Sequence, residues 1–235
     1  MLKYIQMIFE KRLEIILDTL KEFRQVSNKI LIDKLDISES TLRRDLDFLE
    51  QRGEIKRVHG GAILTNVEFE EKSYDKNIIL NIDKKCNIAK KASNLIGNSK
   101  YIFLDAGTTT NLLIDYLDKD INVVTNGIMH IDKLNKKKIK TILLGGLVKS
   151  KTNVTIGEKT ILELSSFNFD IAFIGANGYA NGEFTTHDPS EAKIKRLAIE
   201  RSRKAYILAD SSKKNRIYFS KICSINEVDL IREDL

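Results

Sequence analysis

The chain has 235 residues, 42% hydrophobic and 31% charged, the balance of one or two globular domains and not of low-complexity disorder. With 39 Lys and Arg against 33 Asp and Glu, the net charge of +6 permits an anionic or polyanionic partner without establishing one. Two distant cysteines, Cys86 and Cys223, argue against a disulfide framework or a multi-cysteine zinc site and suit a reducing cytoplasm. No apolar run approaches a membrane span, and Glu10, Lys11, Arg12 and Glu14 break up the N-terminus where a signal peptide would be apolar. The expectation is a cytoplasmic protein with no membrane partner.

The first sixty residues follow a helical period. Leu13, Ile16, Leu17, Leu20 and Phe23 form one apolar stripe. Ser27 reads as the N-cap of a short second helix carrying Ile30, Leu31 and Leu35. After the turn Asp36-Ile37-Ser38, Ser38 caps a third helix with Leu42, Leu46 and Leu49 inside, ended by Gly53. Extended pieces over 54–58 and 62–64, joined by His59-Gly60-Gly61, complete the outline of a winged helix-turn-helix over residues 8–64.

On the third helix Ser40, Arg43, Arg44 and Asp47 share the face opposite the leucines, and Glu39, Ser40 and Thr41 occupy the first turn, the part of a recognition helix that meets base edges. Arg43 and Arg44 suit guanine or phosphate, and Lys56, Arg57 and His59 put charge on the wing. A small charged bundle that binds protein is the competing reading. Residues 1–60 hold 12 basic and 11 acidic side chains, so DNA affinity has to come from a few placed cations. The acids Glu14, Asp18, Asp33 and Glu50 then have to face away from the duplex.

Residues 65–85, polar and of mixed charge, read as a linker running into a helix. From there to residue 235 apolar strands (101–104, 122–125, 140–144, 170–174 and 205–208) alternate with helical stretches (108–117, 127–134, 157–164 and 190–203). That order predicts an α/β domain over 86–235 with a mainly parallel sheet covered on both faces, which binds ligands at the carboxyl ends of its strands.

Asp105-Ala106-Gly107-Thr108-Thr109-Thr110 joins a strand to a helix start, where free amides, a glycine and hydroxyls suit an anion, although a plain N-cap and turn fits too. Polar or glycine loops follow the other strands at Thr125-Asn126-Gly127, Gly145-Gly146, Gly175-Ala176-Asn177-Gly178 and Asp210-Ser211-Ser212-Lys213. Five such loops on one sheet edge predict a small polar ligand. Glu191 and Lys195, spaced i, i+4, read as a surface ion bridge or as a source of an anion contact. The histidines His59, His130 and His187 lack metal-ligand spacing, so no metal and no cofactor are expected, and His130 and His187 read as surface or turn residues. The lysine run 133–140 reads as a solvated face.

Arg12, Ile16 and Leu20, then Ser38, Thr41, Leu42, Arg43, Arg44, Asp45 and Leu46, and the wing Arg57-Val58-His59-Gly60-Gly61-Ala62, resemble the signature of DeoR-type bacterial transcription regulators. The strand-end loops, with Thr185-Thr186, Glu191-Ala192 and Lys195, resemble that family's effector domain, a sheet similar to the ribose-5-phosphate isomerase group. The resemblance spans about residues 8–235. It implies Ser40, Thr41, Arg43 and Arg44 on operator DNA, with Asp45 holding the arginines or the helix start. It also implies a phosphorylated sugar as effector, its phosphate on 107–110 and further contacts at Asn126, Lys195 and Lys213. Asn177, where the family often has Asp, and Lys214, where an aromatic or apolar residue is common, depart from the pattern.

The reading is a repressor of a sugar-metabolism operon, not an enzyme, acting as a homodimer or homotetramer on double-stranded operator DNA. Two other classes compete. A sugar-phosphate isomerase or deaminase would draw its base from Asp105, Glu191 or Asp210, and an architectural DNA-binding protein would have no ligand.

Overall fold

The computed structural model describes residues 9–23, 25–52, 54–58, 60–64 and 73–234. The chain divides into two compact units, Met1–Phe69 and Glu70–Leu235.

In the first unit α1 (Phe9–Phe23), β1 (Gln25–Ser27), α2 (Asn28–Leu35) and α3 (Glu39–Gln51) precede the hairpin of β2 (Ile55–Val58) and β3 (Gly61–Leu64), and the strands form an antiparallel sheet in the order β1-β3-β2. Ser27 accepts from the Ile30 amide at 3.4 Å and Ser38 from the Thr41 amide at 3.2 Å, so both expected caps form. Asp36 ends α2 in the left-handed region at φ 52°, the turn between the paired helices. Leu13, Ile16, Leu20, Leu31, Leu35, Leu42, Leu46 and Leu49 fill the core with Val26, Ile55 and Ala62. Phe23 and Ile30 are exposed instead, outside the expected stripes. Gly61 is required by packing, because a Cβ there would stand 2.3 Å from the Val26 carbonyl. Gly53 and His59 lie outside the described residues.

A buried ion pair ties α1 to α3. Arg12 Nε donates to Asp45 Oδ2 at 2.7 Å and its Nη2 to Oδ1 at 2.9 Å, a two-pronged contact with Asp45 only 1% exposed. Asp45 thus holds Arg12, and not the arginines of its own helix.

In the second unit α4 (Tyr74–Ile79) and α5 (Ile82–Ser93) come first. Of the linker expected over 65–85, the part to residue 72 lies outside the described residues, and most of the rest is helix. There follow β4 (Tyr101–Leu104), α6 (Thr108–Leu113), β5 (Asn122–Thr125), α7 (Ile131–Lys136) and β6 (Lys140–Leu143). The hairpin β7 (Leu147–Lys149) and β8 (Val154–Ile156) leads to α8 (Glu158–Ser165), β9 (Phe169–Gly175), β10 (Gly178–Ala180) and β11 (Glu183–Thr186). The chain ends with α9 (Pro189–Glu200), β12 (Ser202–Leu208), β13 (Ser220–Ser224) and β14 (Asp229–Ile231).

Six strands form one all-parallel sheet in the order β14-β12-β9-β4-β5-β6. Side chains alternate between two cores. Phe103, Ala172, Ile174 and Ile207 belong to one, and Ile102, Leu104, Ile171, Phe173, Tyr206 and Leu208 to the other. Burial on both faces explains why these strands are apolar throughout. The chain starts at β4, winds outward through β5 and β6, then returns to the other side through β9. The order therefore reverses between β4 and β9, where sheets of this kind open a crevice at the carboxyl ends. No helix of the described residues is long and apolar enough to cross a membrane.

Replacing Arg12 by Ala leaves Asp45 buried without its cation. The expected loss is about 3 kcal/mol or more, and Arg12→Met combined with Asp45→Leu should recover most of it. Urea unfolding followed by circular dichroism checks both.

Candidate functional site

Two arrangements stand out, one in each unit. In the first, Ser38, Glu39, Ser40, Arg43 and Arg44 are exposed on α3, with Thr41 half-buried. Ser38 Oγ contacts the hydroxyls of Ser40 and Thr41 at 3.0 and 2.9 Å, so the three hydroxyls at the helix start form one cluster. Neither Arg43 nor Arg44 has an ion-pair partner among the described residues. Arg57 differs. Its guanidinium contacts Asp47 and its backbone amide donates to Glu50 at 2.7 Å, so the wing strand β2 is fastened to α3 by two acids. Glu50, expected to face away, thereby has a structural task.

In the second unit a cavity of about 110 Å³ opens at the reversal between β4 and β9. By the space one water occupies, it has room for several water-sized groups. Of the residues expected around a ligand, Gly107, Thr108, Thr109, Thr110, Asn177, Glu191, Lys195 and Lys213 line it. Asp105 lies buried just beneath, and its Oδ2 accepts both the Lys195 ammonium and the Gly175 amide, the latter at 2.8 Å. Burial raises the Asp105 carboxyl above its ordinary value, against the pull of Lys195 and of the Gly175 N–H.

The i, i+4 spacing of Glu191 and Lys195 does not make a surface bridge. Both are buried, and each takes another partner. Lys195 goes to Asp105, while Glu191 accepts from Lys149 at 2.9 Å and from the Thr152 hydroxyl at 3.0 Å. Lys149 also meets Asp188 at 3.0 Å, which joins the β7–β8 hairpin to the start of α9.

Thr125, Asn126, Gly145 and Gly146 stand outside the cavity, although they follow neighbouring strands as expected. Asn126 Oδ1 accepts the Ala106 amide at 3.0 Å, and Thr125 Oγ1 accepts the Gly127 amide at 3.0 Å. Gly145 donates its amide to Glu163 at 2.8 Å. Gly146 sits at φ 150°, where a Cβ would meet the Thr160 hydroxyl at 2.1 Å. These four support loops and do not face the opening. Thr110 is committed as well, since its hydroxyl donates to the carbonyls of Asp105 at 2.6 Å and Gly107 at 3.0 Å. Thr108 and Thr109 remain, with the first amides of α6, which have no intrahelical acceptor and no side-chain cap.

Tyr74, Asn77, Lys85 and Thr152 line the cavity without having been expected there. Three of them come from α4 and α5, a stretch whose mixed charge gave no strand-end signal. Lys85 is buried and donates to the Asn77 carbonyl. Burial first, then repulsion from Lys213, lowers its pKa to about 8, with Asp210 opposing. Tyr74 is pushed up to about 12, chiefly by burial. Asn81 Nδ2 reaches Asp210 at 3.2 Å and Ser212 at 3.1 Å, so α5 is joined to the loop after β12.

His130 is buried, contrary to a surface or turn placement. Its Nδ1 pairs with the Thr125 hydroxyl at 3.0 Å and its Nε2 faces the Gly107 carbonyl at 3.4 Å. His187 packs on the Tyr218 ring, centroids 4.0 Å apart. In the lysine run, Lys133 and Lys136 pair with Asp115 and Asp132, both at 2.7 Å, as a solvated charged face does.

A winged helix-turn-helix with free arginines on its third helix, in one chain with a doubly wound parallel sheet that has a lysine-lined cavity, defines a DNA-reading protein with a small-molecule site. Residues 12–68 match the DeoR-like helix-turn-helix domain and residues 80–234 the DeoR C terminal sensor domain. The chain belongs to the DeoR family of transcriptional regulators. The HTH-type transcriptional regulator FruR of Bacillus subtilis is 43% identical over 97% of this chain and 92% of its own. The lactose phosphotransferase system repressor of Streptococcus mutans is 32% identical over 96% and 92%. Among solved structures, eIF2B delta from Chaetomium thermophilum shares the fold at a TM-score of 0.50 and 16% identity, covering 68% of this chain and 59% of that one. Ribose 5 phosphate isomerase A from Neisseria gonorrhoeae gives 0.40 and 22%, covering 58% and 53%.

Burial lowers the His130 pKa from 6.5 to about 4, so in the folded state it stays neutral where the unfolded chain takes up a proton. Stability is therefore lost as pH falls from 6.5 toward 4, by up to about 3 kcal/mol from this residue. In His130→Gln the fall in melting temperature between pH 7 and pH 4.5 should be shallower than in the parent chain, as read by differential scanning fluorimetry.

Proposed function

We propose that α3 and the wing hold operator DNA, and that a phosphorylated sugar in the cavity of the second unit weakens that hold, making the chain a repressor of a sugar-metabolism operon. The observation that carries this reading is the convergence of Lys85, Lys195 and Lys213 with Thr108 and Thr109 on one cavity at the sheet's reversal point. Three ammonium groups, two free hydroxyls and uncapped helix amides suit a dianionic phosphoryl group. Asn177 adds selectivity for the sugar end. Its oxygen accepts from the Thr186 hydroxyl at 2.6 Å, which leaves its NH2 to donate to a ligand oxygen.

On the DNA side, Ser38, Glu39, Ser40, Thr41, Arg43 and Arg44 are the proposed contacts, with Arg57 and His59 on the wing. Arg57 contributes less than an unpaired cation because Asp47 offsets its charge. Repression is favoured by relatives named as repressors, among them that of the lactose phosphotransferase system. An enzyme would need a base, and two of its three candidates, Asp105 and Glu191, are each already bound to a lysine. Cys86 and Cys223 are free thiols, that of Cys223 pushed up to about 11 by burial, which suits a cytoplasmic regulator.

A gel shift on the DNA upstream of its own gene should show binding that a phosphosugar weakens and the free sugar does not. Equal weakening by both sugars defeats the phosphate assignment. Arg43→Ala should cost about 1–3 kcal/mol of DNA affinity while ligand-induced thermal stabilisation stays intact. A bound phosphosugar at a hundred times its dissociation constant adds about 2.7 kcal/mol in both proteins. Loss of both properties in Arg43→Ala marks the residue as structural.

A further inference from the structure

The cavity of the second unit is unlike at its two ends. The strand order β12-β9-β4-β5 puts β12 and β5 three places apart, about 14 Å at ordinary strand spacing. Lys213 follows β12, and Lys85 of α5 stands close enough to it for the two ammonium groups to repel, with Asp210 opposing. Across the cavity the β7–β8 hairpin rests on the end of β5. There the Ile128 amide donates to the Asn153 carbonyl at 3.0 Å and the Thr155 amide to the Asn126 carbonyl at 2.9 Å. The Thr152 hydroxyl of that hairpin donates to Glu191, so Glu191 belongs to the β5 end. At this end two carboxylates, Asp188 and Glu191, share the ammonium of Lys149. Helix α4 lies over the cavity from one end to the other, since the Tyr74 amide donates to the Lys151 carbonyl at 3.0 Å and the Asn77 carbonyl accepts Lys85. One end gathers cations and the other carboxylates.

The contacts of Glu191 leave half of its carboxylate for a ligand. Lys149 and Thr152 both donate to Oε1, which keeps Oε2 for another donor. Asn177 lines the same cavity, its oxygen held by Thr186 two residues ahead of Asp188, the cap of α9. A carboxylate oxygen only accepts, and the Asn177 NH2 only donates. A sugar hydroxyl does both and satisfies the pair. An ionised phosphoryl oxygen only accepts, so at this end it faces the Glu191 carboxylate with no proton between them.

We propose that Glu191 makes the site selective for sugars that carry one phosphoryl group. The phosphoryl group lies at the end of Lys85 and Lys213, the far hydroxyls lie on Glu191 and Asn177, and a second phosphoryl group at the far end is turned away by like charge. Discrimination of this kind comes from a repulsive element built against the competitor, in addition to contacts with the favoured ligand. The inference rests on the sugar-phosphate reading of the cavity and names which members of that class it takes.

Thermal shift and titration calorimetry on the full chain read the selectivity, with the 1-phosphates, 6-phosphates and 1,6-bisphosphates of glucose and fructose as probes. At least one monophosphate should bind, and the bisphosphate of the same sugar should bind at least about tenfold more weakly. Glu191→Gln should narrow that ratio from both sides, tightening the bisphosphate and weakening the monophosphate, whereas loss of a merely structural residue weakens both. Lys213→Gln should weaken both ligands, which locates the phosphoryl end. The comparison of ligands in the unaltered chain decides the matter even if Glu191→Gln does not fold. Three results overturn the selectivity and leave the sugar-phosphate site standing: a bisphosphate that binds as tightly as its monophosphates, a ratio that Glu191→Gln leaves unchanged or widens, or monophosphate binding indifferent to Lys213→Gln. A chain that none of these sugars stabilises lacks the site itself, and both readings fall together.

Discussion

One carboxylate oxygen, Asp105 Oδ2, organises the second unit. It accepts the Lys195 ammonium and the Gly175 amide, and in doing so fastens the end of β4 to the end of β9 and to the middle of α9. Removing two opposite charges from water is costly, and a buried pair of this kind is a weak source of net stability. What it supplies is position. The cavity lies where the strand order reverses, so its two walls belong to strands that this contact helps the β4–β9 ladder and the shared cores bring together. With Lys195 fixed on Asp105, its charge is held at the cavity wall without the freedom of a long side chain.

Around that contact the loop after β4 is held from several directions. Asn126 takes the Ala106 amide, Thr110 returns its hydroxyl to the Asp105 and Gly107 carbonyls, and His130 bridges Thr125 to Gly107. Asn126 and His130 stand outside the cavity and the Thr110 hydroxyl is committed to the backbone, yet together they set the direction in which the first amides of α6 point. In the proposed reading a loop braced in this way would meet an anion with little reorganisation, and low reorganisation is where affinity for a small ligand is gained. His130 is the acid-sensitive member of the brace, since protonation there breaks an arrangement that depends on a neutral ring.

The local elements were the most legible part of the sequence. Caps at Ser27 and Ser38, the apolar stripes and the apolar strands report on neighbours a few residues away, and the helices and strands they mark form much where expected. The cavity was only half legible. Strand-end loops could be found one by one, but which of them face inward depends on strand order, and β5 and β6 lie to one side of the reversal. Thr125, Asn126, Gly145 and Gly146 therefore become braces. Lys85 and Tyr74 escaped notice for the opposite reason. They sit in a polar stretch with no strand pattern, and only tertiary packing turns that stretch over the sheet. The i, i+4 rule failed for Glu191 and Lys195 because it describes a solvated helix face, and this face is buried.

Charge distribution bears on how the proposed regulator would let go of DNA. The first sixty residues are nearly neutral overall, and of the cations near the reading surface Arg57 is already offset by Asp47. Few phosphates can then be neutralised, and the salt-dependent part of binding scales with that number. In the proposed reading affinity would rest on Arg43, Arg44 and the hydroxyl cluster of Ser38, Ser40 and Thr41, contacts that need the helix seated in one orientation. Such a hold is directional and not merely adhesive. A typical coupling of about 1–3 kcal/mol between two sites is then a large share of what separates the bound site from bulk DNA, so a ligand of ordinary affinity suffices to move the equilibrium.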